Sequence, residues 1–192
     1  MQSNRIETVI LNESLSLETA PGLFSPHRVD FGTLAMLSQA DFEPGQRVMD
    51  LGCGCGVVGI LAAKKCGEEN VVLADIDPKA VEIARRNADA NGVPAVEIVV
   101  SDGFDSVNAA GFDRIYVNPP YQTDFKVAKR FIEKGFNRLK IGGKMFMVTK
   151  RLEWYRNKLK AIFGGVTVRE IDGYYVFIAE KRQAEYAHWK RK

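Results

Sequence analysis

The chain has 192 residues, 27 Lys and Arg against 24 Asp and Glu, a formal net charge of +3 and 46% hydrophobic residues. That length suits one domain, and that composition supports a sizeable core, which excludes a disordered chain. No apolar run reaches the roughly 18 residues of a membrane span, Met1–Thr8 is polar where a secretory leader is apolar, and three cysteines (Cys53, Cys55, Cys66) do not make a secreted disulfide scaffold, so a cytoplasmic protein without a membrane partner is expected.

In chain order, Thr8–Leu11 and Leu15–Leu17 read as a short hairpin. A Pro/Gly loop from Pro21 to Pro26 then leads into a helix that Asp30 is placed to cap. From Arg47 onward, apolar β-type runs alternate with helix-period segments. The strands are Arg47–Leu51, Val71–Ala74, Val96–Val100, Asp113–Val117, Lys144–Thr149, Val166–Ile171 and Tyr174–Ala179; the helices are Val57–Lys65, Pro78–Ala90, Phe125–Leu139 and Glu153–Phe163. Asp77-Pro78 is an N-cap followed by proline at the first helical position, and Asn91-Gly92 is a stop. This alternation predicts an α/β, Rossmann-like fold with a seven-stranded, mostly parallel sheet and helices on both faces. Asp172-Gly173 between the last two strands adds an antiparallel C-terminal edge hairpin.

The small net charge conceals a segregation. Residues 1–125 hold 9 basic and 18 acidic side chains, a net −9, whereas residues 126–160 hold 12 and 2, a net +10; residues 161–192 contribute +2. On the helix Phe125–Leu139, Ala128, Phe131, Ile132, Gly135, Phe136 and Leu139 share one arc. Lys126, Lys129, Arg130, Lys134 and Arg138 share the other, and Arg151, Arg156, Lys158 and Lys160 follow. This basic stripe suits either a solvated helix face or a polyanion such as RNA. Trp154 and Tyr155 sit among these charges, with packing under the helix as their expected role.

The first strand of the alternating region runs into Asp50-Leu51-Gly52-Cys53-Gly54-Cys55-Gly56-Val57-Val58-Gly59. Glycines there let the backbone turn sharply and approach a ligand closely. The stretch also satisfies G-x-G-x-x-G from Gly54, a weak dinucleotide signal by itself. Asp50 at the strand end argues for a cationic ligand over a pyrophosphate. The next strand ends in Asp75, about 20 residues after the turn and suited to ribose hydroxyls; Asp77 is better used as the helix cap. The third ends in Asp102, an acceptor for an adenine amine or an ordinary turn residue. No second Cys pair or His cluster completes a tetrahedral site around Cys53 and Cys55, so no metal is expected.

These three strand ends, DLGCGCG, ADIDP and SDG, resemble the class I methyltransferases that use S-adenosyl-L-methionine. The resemblance implies that Gly52, Gly54 and Gly56 pack against the methionine part of the cofactor, with Asp50 beside it. It further implies that Asp75 holds the ribose and Asp102 the adenine.

The fourth strand runs into Asn118-Pro119-Pro120-Tyr121. The prolines stiffen the backbone and offer carbonyls without N–H donors, Asn118 adds a side-chain acceptor, and Tyr121 offers a ring for stacking. Acceptors beside a stacking plate suit an NH2 group on a planar, conjugated system. The tetrapeptide resembles the amino-methylating branch of the superfamily, which acts on guanine N2, adenine N6 or protein glutamine. Upstream, Pro21-Gly22-Leu23-Phe24-Ser25, Val29-Asp30-Phe31-Gly32-Thr33 and Leu34 resemble the "methyltransferase small" family, whose best-known members methylate guanine N2 of ribosomal RNA. That resemblance makes Phe24, Asp30, Phe31 and Thr33 substrate-side candidates; separately, the basic face of the Phe125–Leu139 helix, which begins just after Tyr121, offers Lys126, Arg130 and Lys134 as RNA contacts.

The expectation is thus an S-adenosylmethionine-dependent N-methyltransferase acting on guanine N2 of ribosomal RNA. Alternatives are an adenine-N6 or protein-glutamine acceptor and, more distantly, an inactive RNA-binding module. One domain spans 1–192: a lead-in segment 1–45, a cofactor-binding and catalytic core 46–181 and a basic tail 182–192. His27 and His188 receive no role.

Overall fold

A computed structural model describes residues 4–20, 28–119 and 125–187. An antiparallel hairpin, β1 (Asn4–Ile10) and β2 (Glu13–Thr19), precedes α1 (Phe31–Leu37). There follow β3 (Val48–Leu51), α2 (Val57–Cys66), β4 (Val71–Asp75), α3 (Pro78–Ala90), β5 (Glu97–Val100), β6 (Phe112–Val117), α4 (Phe125–Arg138), β7 (Leu139–Thr149), α5 (Glu153–Phe163), β8 (Thr167–Ile171) and β9 (Tyr174–Glu180). The sheet has seven strands in the order β5-β4-β3-β6-β7-β9-β8. Its β3–β7 members pair in parallel, and β9 runs antiparallel to both β7 and β8. This is the expected mostly parallel, Rossmann-like sheet with an antiparallel edge.

The central strands read as mostly apolar runs because both of their faces are covered. Along β3 and β4, Val48, Val71 and Leu73 face the hairpin, α1, α2 and α3, while Met49, Leu51, Val72 and Ala74 face α4 and α5. The same alternation continues in β7, where Phe146 and Val148 pack on the first side and Met145 and Met147 on the second. In α4, Ala128, Phe131, Ile132, Gly135 and Phe136 are buried, as the periodicity predicts. Tyr155 is buried, and Trp154 stacks on Phe125 with ring centroids 4.4 Å apart, so both pack within the fold.

Caps fall where the sequence places them. Asp77 accepts from the Lys79 N–H at 2.9 Å with Pro78 behind it, and Asp30 accepts from the Thr33 N–H at 2.9 Å. Most element ends fall within one residue of expectation, and two elements differ by more. The N-terminal hairpin is longer than Thr8–Leu11 and Leu15–Leu17 because its turn uses Leu11 and Asn12 at φ +49° and +65°, with no glycine to announce it. β7 begins at Leu139, where its pairing with β6 shifts register between Phe112 and Arg114. The intervening Gly142 N–H donates to the Lys181 carbonyl at 2.7 Å.

The helix α2 lies directly on β4. A Cβ added at Gly59 would stand 2.2 Å from Leu73 Cγ, and Leu73 is fully buried. Gly59→Ala is therefore expected to destabilise the fold by about 1–3 kcal/mol, the usual cost of overpacking. Adding Leu73→Ala should restore part of the loss; urea midpoints of the single and double variants test this.

Candidate active site

A cleft of about 430 Å³ opens at the C-terminal ends of β3, β4, β5 and β6. This is the crevice where open α/β sheets bind ligands, at the point where strand order reverses: β3 has β4 on one side and β6 on the other. Its walls are the glycine turn (Gly52 to Cys55), Asp75 to Asp77, Ser101 to Gly103, and Asn118 with Pro119. Ile6 and Leu17 of the hairpin close one side, and Val127 and Phe131 of α4 another.

The turn is drawn tight by backbone hydrogen bonds. Gly52, Gly54 and Gly56 have φ of +75°, +54° and +89°, a region that side chains rarely adopt. The Gly52 and Cys53 N–H groups donate to the Ala74 carbonyl at 2.8 and 3.0 Å. Asp75 ties the turn to the end of β4: its Oδ2 accepts from the Gly54 N–H at 2.8 Å and its Oδ1 from the Asp77 N–H at 3.0 Å. A carboxylate oxygen holds two lone-pair sites, so each retains capacity toward a ligand. Gly56 stands apart from its two companions. It packs beneath the turn, where a Cβ would meet Ile60, Leu73 and Ala84 at 3.1–3.3 Å, and does not line the cleft.

Asp50 borders the cleft floor yet is buried, with Oδ2 accepting from the Gly59 N–H at 2.8 Å. Burial pushes its carboxyl up to about 7; the Gly59 N–H opposes this and the nearby Asp75 charge adds to it. Burial likewise raises the Cys53 thiol well above its usual value and the Cys55 thiol to about 11, so both are neutral at pH 7. Among the described residues, no group of three or more His, Cys, Asp and Glu is arranged to hold a metal ion.

At the other rim, Asp102 accepts from Arg130 Nη1 at 2.6 Å. Asp105 in turn pairs with both Arg130 and Lys134. Two of the cations expected to meet RNA are thus engaged with the acidic loop after β5, which holds α4 against the cleft. Lys126 and Lys129 stand exposed on the first turns of the same helix.

The acceptor end is built by β6 and α1. Asn118 follows the last residue of β6, and its Nδ2 donates to Asp30 Oδ2 at 2.9 Å and to Thr33 Oγ1 at 3.0 Å. Its Oδ1 is buried without a hydrogen-bond partner among the described residues. Such an acceptor costs free energy unless a donor reaches it. Phe31, next to Asp30 in sequence, is half exposed with the Arg28 guanidinium 4.3 Å above its ring and is not among the residues that line the cleft. Phe24, Pro120, Tyr121, His27 and His188 lie outside the described residues.

Some lining residues escape the sequence reading. Arg28 borders the cleft within a loop that motif spacing does not reach, and Met36 reads only as core. Ile76, 65% exposed between Asp75 and Asp77, carries a usable signal: an apolar residue between two acids at a strand end. Asn87 is the clearest omission. It is buried in α3, accepts from the Glu18 N–H at 2.7 Å, and donates to the Glu18 and Cys55 carbonyls, each at 2.9 Å.

The donor set decides what the cleft can hold. Among its described lining residues, five carboxylates (Asp30, Asp50, Asp75, Asp77, Asp102) face one guanidinium (Arg28). That balance repels a polyphosphate and suits a cationic ligand rich in hydroxyl and amine donors. It argues against a nicotinamide dinucleotide, as the position of Asp50 at the strand end does.

Comparison with known proteins agrees. The sequence profile of the methyltransferase small domain matches residues 14–178. The chain is 37% identical over 160 residues to a ribosomal RNA small subunit methyltransferase C of Hahella chejuensis, covering 81% of this chain and 46% of that protein. It is 31% identical over 178 residues to the uncharacterized protein YbxB of Bacillus subtilis, covering 88% of each. A T. thermophilus 16S rRNA N2 methyltransferase (RsmC), solved in complex with AdoMet and guanosine, superposes with a TM-score of 0.84 at 28% identity, covering 95% of this chain and 51% of that one. The chain thus spans about half the length of the methyltransferase C relatives that it matches.

Proposed function

Because the chain belongs to the methyltransferase small domain family, we propose that it is an S-adenosylmethionine-dependent N-methyltransferase whose acceptor is the N2 amine of guanine in ribosomal RNA. The observation that carries the reading is Asn118, which lines a cleft edged with carboxylates from a strand end and whose buried Oδ1 has no hydrogen-bond partner among the described residues. S-adenosylmethionine, when bound, supplies a methyl group on a sulfonium centre. Gly52 and Gly54 would lie against its methionine part, Asp50 below it, Asp75 at the ribose and Asp102 at the adenine.

The acceptor chemistry belongs to this chain's own residues. A conjugated amine is a poor nucleophile because its lone pair is delocalised into the ring. Hydrogen bonds from its two N–H groups to Asn118 Oδ1 and the Pro119 carbonyl favour a pyramidal nitrogen and aim its lone pair into the cleft. Holding both reactants in line supplies much of the rate, with about 7–11 kcal/mol available from orientation alone. Pro120 and Tyr121 complete the acceptor site in this proposal, Tyr121 as a stacking plate. Phe24 and Phe31 are proposed to flank the base, and Lys126 and Lys129 to line the path of the RNA backbone. Arg130 and Lys134 contribute there only by leaving the carboxylates they hold.

The same relatives support a soluble protein acting on RNA. No helix of the described residues is long and apolar enough to cross a membrane. The test incubates the protein and methyl-labelled S-adenosylmethionine with unmodified ribosomal RNA, naked and assembled, followed by digestion to nucleosides. Label is expected as N2-methylguanosine. Label found as N6-methyladenosine, or only in protein, would overturn the acceptor.

A further inference from the structure

Asp30, Thr33 and Asn118 form a closed triangle of hydrogen bonds. Both hydrogens of the Asn118 amide are committed, one to Asp30 Oδ2 at 2.9 Å and one to Thr33 Oγ1 at 3.0 Å. Thr33 Oγ1 also approaches Asp30 Oδ2 at 3.4 Å, as donor. Thr33 is buried, and Asp30 is pinned as the cap of α1 by the Thr33 N–H. An ionised carboxylate only accepts, so an Asn118 amide turned by half a circle would set its oxygen against the Asp30 charge. The buried, unpartnered Oδ1 on the opposite side is the product of that constraint.

We infer that Asp30 and Thr33 are positioning residues that lock the Asn118 amide with its oxygen turned away from them, so that the site selects an N–H donor. This rests on the N-methyltransferase reading and replaces a direct substrate contact for these two side chains. Asp30 does more than hold the amide. A charge-assisted hydrogen bond polarises the group it binds, so the carboxylate behind Nδ2 strengthens Oδ1 as an acceptor. The nitrogen of a methylated amine turns cationic before it sheds a proton. The relay from Asp30 through Asn118 places negative charge behind that nitrogen in advance. Phe31, between the two anchoring residues, remains half exposed and takes no part in the triangle.

The test separates capping from positioning. Asn and Ser cap helices about as well as Asp, so Asp30→Asn and Asp30→Ser keep the start of α1 while removing the charge. Their melting temperatures are expected within about 3 °C of the parent. In 1H–15N spectra, the Asn118 side-chain NH2 pair, assigned as the one missing from Asn118→Ala, should shift in both variants. Single-turnover transfer to 16S ribosomal RNA transcript should fall about 10- to 100-fold, with half-saturating RNA within about threefold. Thr33→Val should lose about 3- to 10-fold, and Thr33→Ser should recover most of it. Parent rates in both Asp30 variants, or an unmoved NH2 pair, would overturn the positioning role and leave Asp30 a helix cap. Sustained transfer by Asn118→Ala would instead defeat the N-methyltransferase reading on which this role depends.

Discussion

Asn118→Ala is expected to lose roughly 100- to 1,000-fold in methyl transfer, the loss typical when one preorganised group at a reacting centre is removed. Cofactor affinity should stay within about twofold, because the side chain faces the acceptor side of the cleft and its partners Asp30 and Thr33 belong to α1, away from the glycine turn. Asn118→Asp should be no better despite its shape. It keeps the Oδ1 acceptor but replaces the donating NH2 with a second carboxylate oxygen at hydrogen-bond distance from Asp30. Single-turnover assays with labelled S-adenosylmethionine, alongside titration calorimetry for the cofactor, give both quantities. Turnover of Asn118→Ala near the parent value would refute the acceptor assignment.

The second large effect concerns Asp50 and pH. Burial holds its carboxyl at about 7 in the folded protein, whereas an unfolded aspartate titrates near 3.9. The folded state therefore keeps a proton that the unfolded state gives up. Stability contributed by the neutral carboxyl is complete below about pH 4, is lost as pH rises, and is gone above about pH 7. The expected span is on the order of 2–4 kcal/mol. Asp50→Asn keeps an oxygen for the Gly59 N–H and has no charge to desolvate. The variant should match the parent near pH 4 and exceed it by that margin at pH 8 in urea melts. An equal difference at both pH values would show that Asp50 does not titrate in this window. Retention of so costly a group accords with the proposal that it faces a cationic ligand. Cofactor affinity of the parent protein should then rise between pH 6 and 8, and that of Asp50→Asn should stay flat.

How much of this was legible in the sequence follows from the range of the interactions involved. The sheet was readable because doubly covered strands are apolar at nearly every position, as Val71–Ala74 and Ile115–Val117 are and as Val48, Met49 and Leu51 are around the one buried acid, Asp50. Caps such as Asp30 and Asp77 were readable because they act on the next two or three residues. The cleft-facing motifs lie at strand ends, whose location follows from the alternation itself. What the sequence concealed was pairing across distance. Arg130 and Lys134 were expected to face RNA, yet 25 to 29 residues separate them from the acids that hold them. Gly56 and Gly59 belong to one motif with Gly52 and Gly54, but their small size serves helix packing on β4 and α3. Nothing local marks Asn118 as tethered to residues 85 and 88 positions earlier.

The hairpin contacts have a consequence for the order in which the molecule assembles. The side-chain amides of Asn87 and Asn91 meet the backbone of β2 across 69 and 75 residues of chain, standing in for the peptide groups of a neighbouring strand. Closing loops of that length carries a large entropic cost until the β3–α2–β4–α3 unit offers a formed surface. The hairpin should therefore dock late in folding, and the cleft wall that Ile6 and Leu17 provide should be among the last parts to form. By the same reasoning it should be among the first to open under native conditions, through excursions far smaller than global unfolding. Each such opening frees Asn87 from the Glu18 backbone, and the same amide also donates to the Cys55 carbonyl, so the hairpin docks on a side chain that is itself tied to the glycine turn. Ligand entry and partial unfolding would then share a single motion of this protein.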